Sequence, residues 1–238
     1  MCKKIFPILF FAIHAASAHS MSLFKNDSLT FSGTVGYTHF NTPRDQIIII
    51  SPYVTNLLTG TKQRDNASYG FSMKQQLNIR DNIFNKIMLG PAIYFQNVHH
   101  SGEVWEMLSP EFYNYQYNVK SNNMNALVEG EFHLNPIVAR LVPFFTLGVG
   151  FSVVNTRYDD YALPGIPADS TLHSSSSQTK AMYELGAGLA LPLSKHWTVN
   201  ARYAYFHLGH VAFPLTQFQP LSRNLNSQNV FFGINYSV

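Results

Sequence analysis

Strict two-residue alternation of apolar and polar side chains, sustained over eight long segments, limits this chain more than any other feature. Side chains of a β-strand point alternately to opposite sheet faces, so such a segment has one apolar face. The last one is the clearest: Val230, Phe232, Ile234, Tyr236 and Val238 share a face, opposite Phe231, Gly233, Asn235 and Ser237. Trp197, Val199, Ala201, Tyr203 and Tyr205 repeat it against Thr198, Asn200, Arg202 and Ala204. Further strands follow from Ala181 to Leu191, from Leu141 to Val153 and from Met124 to Leu134. Ile87 to Phe95, Tyr69 to Leu77 and Leu29 to Phe40 complete the set. Each is near or above the 9–11 residues that a tilted membrane-crossing strand needs.

The connections sort by length. Short ones with turn chemistry follow strands two, four and six: Arg80-Asp81-Asn82, Asn135-Pro136 and Ser194-Lys195-His196. Long ones follow strands one, three, five and seven, at 41–66, 96–122, 155–178 and 209–227. Short turns at one end and long loops at the other characterise outer-membrane barrels, with both termini in the periplasm. The expected fold is therefore all-β, an eight-stranded antiparallel transmembrane β-barrel with four long extracellular loops. Closure would remove exposed edges and satisfy backbone donors within lipid.

Composition agrees. Asp, Glu, Lys and Arg make up 12% of the chain, against about 25% in ordinary soluble domains. Aromatics are abundant, with 19 Phe, 13 Tyr and 2 Trp. No uncharged apolar run of about 18 residues occurs, which argues against membrane-spanning helices.

The first 18 residues read as a secretory signal. Lys3 and Lys4 precede an apolar run from Ile5 to Ala15, and Ala16-Ser17-Ala18 supplies a small-residue cleavage pattern. Residues 19–238 form the expected barrel, with His19 as the mature terminus. The only cysteine is Cys2, so the mature chain has no thiol and no disulfide. Without Lys3 and Lys4 the 16 basic residues become 14 against 13 acidic ones, a net charge of +1. No basic stripe supports nucleic-acid binding.

Two groups of residues stand out. Lys74, Lys86, Glu129, Glu131, Arg140, Lys180, Glu184 and Arg202 fall on the inward faces of the expected strands. Charge facing lipid costs about 2–4 kcal/mol for Lys or Arg at midplane, so the lumen is their natural place. A narrow lumen would pair them into ion pairs that close the bore. Glu129 and Glu131 look superficially like a catalytic carboxylate pair, but structural pairing is the simpler reading. Gly148, Gly150, Gly186 and Gly188 lie on inward faces, either making room for larger neighbours or marking bulges. The second group, Trp105, Phe112, Tyr113, Tyr115 and Tyr117, occupies the second long loop among Glu103, Glu106 and Glu111. It forms either a ligand-binding surface or the continuation of a strand above the bilayer with its aromatic girdle. Side chains of His99 and His100 diverge on a strand, which argues against a metal site. No cofactor is implied. His207 and His210 lie where a lipid-deacylating barrel would carry its histidine, but Gly209 stands where such an enzyme needs a serine, so catalysis is not expected.

Pro143-Phe144-Phe145-Thr146-Leu147-Gly148-Val149-Gly150-Phe151 resembles a strand of the small outer-membrane β-barrel family, which includes the opacity proteins and the barrel of outer-membrane protein A. Residues 202–210, Arg-Tyr-Ala-Tyr-Phe-His-Leu-Gly-His, look like that family's penultimate strand, without its acidic member. The C-terminal alternation resembles the signal read by the barrel-insertion machinery, ending here in Val238. The resemblance implies an outer-membrane location, lipid and the insertion machinery as partners, and two function classes. One is a structural or adhesive surface protein meeting a host or environmental ligand through its loops. The other is a narrow porin-like barrel for small or hydrophobic solutes.

Overall fold

The structure is a computed structural model that describes residues 24–40, 45–63, 66–77, 83–138, 140–167, 171–213 and 221–238. The expected signal peptide and the Arg80-Asp81-Asn82 turn lie outside the described residues.

The expectation of eight strands is corrected: the described residues form one antiparallel sheet of ten strands. They are β1 (Phe24–Phe40), β2 (Gln46–Ser51), β3 (Val54–Gln63), β4 (Asn66–Leu77) and β5 (Phe84–Glu106). After a 3-10 turn at Pro110–Phe112 come β6 (Tyr113–Leu134), β7 (Val142–Ala162), β8 (His173–Pro192), β9 (Trp197–Phe213) and β10 (Leu221–Ser237). Their order is β2-β3-β5-β4-β1-β10-β9-β8-β7-β6. β6 also pairs with β5, from Phe84↔Leu134 to Trp105↔Tyr113, so the ends of the long-stranded run meet.

The additional strands come from the 41–66 segment, read from sequence as a loop. β2 and β3 form a hairpin, and β3 extends the edge of β5 above β4, from Gln63↔His100 to Asn56↔Glu106. Burial of Ile48 and Leu58 explains why this segment folds: the hairpin has its own apolar residues to hide. Strands also replace most of two other expected loops. Only residues 107–112 separate β5 from β6, and 163–172 separate β7 from β8.

The two sheet faces differ as the alternation requires. Leu147, Val149 and Phe151 on β7, Leu185 and Leu189 on β8, and Phe232 and Ile234 on β10 are all exposed on the outside. The intervening residues face inside and are buried or half-buried there, in layers. Val142, Phe144 and Ala190 pack near the short-turn end. A charged layer follows. Above it, Phe40, Leu58, Val98, Tyr117, Tyr158, Leu208 and Leu225 belong to a larger apolar cluster.

Candidate functional site

Five of the eight charged residues singled out from sequence meet inside the sheet: Lys74 from β4, Glu129 and Glu131 from β6, Glu184 from β8 and Arg202 from β9. Lys74 Nζ bonds both Glu129 Oε1 and Glu131 Oε2. Arg202 Nη1 lies 3.1 Å from Glu129 Oε1 and 3.5 Å from Glu184 Oε1. Neutral donors also bond the carboxylates: Tyr94 OH to Glu129 Oε2 at 2.6 Å, and Thr146 Oγ1 to Glu184 Oε1 at 2.6 Å. His133 Nε2 lies 2.5 Å from Glu131 Oε1. All five charged residues are buried. Burial of so many charges is tolerable only when each is paired and hydrogen-bonded.

Tyr94 belongs to this cluster although its sequence gave no charge to notice. It donates to Glu129, accepts from Arg202 Nη2, and its ring lies 5.2 Å from the guanidinium carbon. Its signal was parity, because it shares the inward face of β5 with Met88 and Gly90. Gly70, opposite it on β4, makes the room: a Cβ there would stand 2.3 Å from Tyr94 Cδ1. Gly186 does the same for the carboxylate end, where a Cβ would lie 2.3 Å from Thr146 Oγ1 and 2.9 Å from Glu184 Oε1.

The remaining three charges lie elsewhere. Lys86 is half-buried opposite His133 near the start of β5 and has an interaction of its own. Lys180 is half-buried on β8, beside Gly209. Arg140 is corrected: it is exposed in the β6–β7 turn at φ 79°, not inside. Hydrogen bonds from Ile137 N to Leu141 O and from Leu141 N to Val138 O close that turn, so strand parity does not extend to it.

Little space remains beside the charged layer. A cavity of about 10 Å³ touches Lys74, Tyr94, Glu131 and Arg202, room for about one water molecule. Glu184 Oε2 and Arg202 Nε have no hydrogen-bond partner among the described residues. A second layer spans the interior above it. Ser152 Oγ donates to Asn125 Oδ1 at 2.6 Å, Asn125 Nδ2 to Gln96 Oε1 at 3.0 Å, and Gln96 Nε2 to Asn229 Oδ1 at 2.7 Å. Thr38 Oγ1 also donates to Asn229 Oδ1, at 2.6 Å. This belt joins β7, β6 and β5 to β10 and β1 across the bore. Sequence reasoning passed over it because its members carry no charge, although all have inward parity.

The aromatic group divides. Tyr115 and Tyr117 are buried on β6, and Tyr117 stacks on Tyr158 with centroids 6.0 Å apart and planes within 9°. Trp105 is half-buried at the end of β5, and its Nε1 donates to Glu103 Oε2 at 3.0 Å. Tyr113 is half-buried and Phe112 exposed. Only Trp105, Phe112 and Tyr113 therefore offer surface.

The segment after β7 is tied down by Asp160. Its Oδ1 accepts from Leu172 N, and its own N–H donates to Leu172 O at 3.1 Å. Burial pushes the Asp160 carboxyl up to about 6. Asp159, by contrast, is held below the usual carboxylate range by the hydrogen bond from Arg157 Nε at 2.7 Å, with His173 Nδ1 at 3.0 Å.

His99 and His100 diverge, one bonded to Asn118 Oδ1 and the other buried inside. Among the described residues no three His, Cys, Asp or Glu side chains cluster as metal ligands would. His207 Nδ1 bonds Asn226 Oδ1 at 2.6 Å, its ring stacks on Tyr183 at 4.9 Å, and Gly209 beyond it adopts φ 85°.

Comparison with known proteins gives the context. The chain is 31% identical over 97 residues to the 31 kDa outer-membrane immunogenic protein of Brucella melitensis, covering 41% of this chain and 38% of that one. The same protein of Brucella suis matches equally. The chain thus spans under two fifths of the length of these curated relatives. Among solved structures, OprG of Pseudomonas aeruginosa superposes with a TM-score of 0.48 at 10% identity, covering 91% of this chain and 98% of that one. Neisserial surface protein A gives 0.43 at 12% identity, covering 87% and 96%. Residues 8–237 match the family described as outer membrane protein beta-barrel domain. The chain belongs to this family, and it is a protein of the bacterial outer membrane.

Proposed function

We propose that this is a non-catalytic surface protein with a plugged interior, whose work is done at the long-stranded end outside the bilayer. The observation that carries the reading is the filled bore. The Lys74–Glu129–Arg202 cluster and the Gln96–Asn229 belt each join strands that are not neighbours in the sheet. No solute could pass both layers without breaking several buried hydrogen bonds.

On this reading residues 1–18 are a cleaved signal, residues 19–238 are the mature barrel, and the β2–β3 hairpin and the 107–112 and 163–172 connections face the outside. Trp105, Phe112 and Tyr113 are the aromatic residues offered to a host or surface ligand, in an adhesive or structural role. The name of the Brucella relatives, an immunogenic outer-membrane protein, agrees with exposure at a cell surface. Within the family, the Pro143–Phe151 and Arg202–His210 strands favour kinship with the opacity proteins and the barrel of outer-membrane protein A.

Two measurements test this. Planar-bilayer recording of purified protein should give no steady conductance, and antibody raised to the 107–112 connection should label intact cells. Large, long-lived open steps would overturn the plugged interior and favour solute transport. Labelling only after the outer membrane is breached would overturn the orientation.

A further inference from the structure

Three neighbouring strands carry, on their outward faces, a graded sequence of residues whose register the sheet fixes. Phe95, Met124 and Val153 are directly paired across β5, β6 and β7. Two residues further along each strand stand Asn97, Asn122 and Asn155, again paired and all exposed. Two residues beyond them come His99, Lys120 and Arg157, paired in the same way. Apolar, amide and cationic rows thus succeed one another at steps of about 6.7 Å along the strands.

The position of these rows matters. Outward residues of β7 are apolar from Pro143 to Val153, and those of β6 from Leu134 to Met124 apart from Gly130. Eleven residues is the length of a tilted membrane-crossing strand. The amide row therefore falls where the hydrocarbon ends, and the cationic row at headgroup level.

Lys120 is exposed, and the Arg157 side chain is 70% exposed. They are directly opposed on adjacent strands, an arrangement in which like charges repel. Asp159 relieves Arg157 through a single bond to its Nε, while His173 also claims that carboxylate. The nearest acid on β5, Glu103, is engaged by Trp105. A bound anion between Lys120 and Arg157 would turn this repulsion into attraction.

We infer that the His99–Lys120–Arg157 row, with the asparagine row beneath it, binds the phosphate-bearing headgroup of an outer-leaflet glycolipid whose acyl chains lie along Phe95, Met124 and Val153. Arginine and lysine take the phosphate through charge-assisted hydrogen bonds. The amides match sugar hydroxyl and acyl carbonyl groups. A soluble anion would use the cations but would have no use for the apolar face directly below. The inference goes beyond the surface role proposed above and rests only on the long-stranded end being outermost.

The test uses the full mature chain refolded in phosphatidylcholine vesicles doped in both leaflets with lipid A or with lipid A stripped of its phosphates. Wild-type protein should retain lipid A about 25-fold better than the stripped lipid, from about fivefold per cation. Lys120→Gln/Arg157→Gln should abolish the preference, whereas Lys195→Gln, in the β8–β9 turn at the other end, should keep it. Should the double variant fold poorly, Lys120→Gln alone leaves the Arg157–Asp159 pair intact and should lose about fivefold. Equal retention by wild type and variants, or of both lipids, would overturn the site. Inositol hexakisphosphate binding as tightly as lipid A would overturn the lipid occupant. Lipid in both leaflets makes this result independent of orientation, so failure of the surface reading would appear in cell labelling and not here.

Discussion

Arg202 on β9 reaches across the interior to Glu129 on β6, Nη1 to Oε1 at 3.1 Å, linking strands that are not neighbours in the sheet. The same guanidinium lies 3.5 Å from Glu184 and over the rings of Tyr94 and Phe231. Arg202→Ala leaves two carboxyl groups with one fewer cation in a buried interior. The expected cost is about 3–5 kcal/mol, the usual effect of breaking one side of a buried pair. Urea unfolding of refolded protein measures it. Conductance should stay low, because the Gln96–Asn229 belt still blocks the bore.

Leu147 and Leu189 face outward, each 45% exposed, and are placed to meet lipid. Leu147→Arg or Leu189→Arg should destabilise the protein in bilayers by about 2–4 kcal/mol near midplane. Inward-facing glycines resist substitution for a different reason. At Gly186 any side chain meets Thr146 and Glu184, so Gly186→Leu should prevent the Thr146–Glu184 hydrogen bond from forming. Unchanged urea midpoints for both arginine variants would contradict the facing of β7 and β8.

Facing was the legible part of this fold. Alternation places Leu147 outside and Glu129 inside with no structure at hand, because one apolar face in lipid forces the register. The β2–β3 hairpin was not legible. Its Ile47–Ile50 run lies beyond the membrane-spanning length in β2, which pairs with β3, and β3 in turn pairs with an upper stretch of β5 that read as loop. Parity also misled at Arg140, where it was carried two residues beyond the start of β7 into a turn. Charge drew attention to Lys74, Glu129 and Arg202. The equally connected Tyr94, Gln96 and Asn229 went unnoticed, since uncharged inward residues look alike until partners are known.

Tyr117 and Trp105 were equivalent in sequence and are not so in structure. Tyr117 is buried against Tyr158, so Tyr117→Ala should cost about 3 kcal/mol, in the range for removing a buried aromatic ring. Trp105 is half-buried at a strand end, and Trp105→Ala should change the urea midpoint far less. If Trp105 serves a ligand, its loss should lower binding to host or environmental surfaces without loss of fold, read by cell adhesion beside unfolding. Equal destabilisation by both variants would place Trp105 in the core instead.

The Asp160 latch predicts a pH dependence with a definite sign. Burial raises the folded carboxyl from 3.8 to about 6, so between those values the folded state binds more protons than the unfolded one. Stability from this group is therefore greatest below about pH 4 and declines as pH rises through about 6. Charged and titratable groups around it are Asp159, His173 and Tyr158, and Asp159 is already compensated by Arg157 and His173. Local opening should be seen first at Leu172, whose N–H donates to Asp160 and whose carbonyl accepts from it. Amide exchange at Leu172, corrected for intrinsic rates, should show less protection at pH 7 than at pH 5. Asp160→Asn keeps an acceptor oxygen without a titrating group, so its protection should be flat across that interval. A wild-type profile equally flat, or one rising with pH, would mean that the latch does not feel the charge on Asp160.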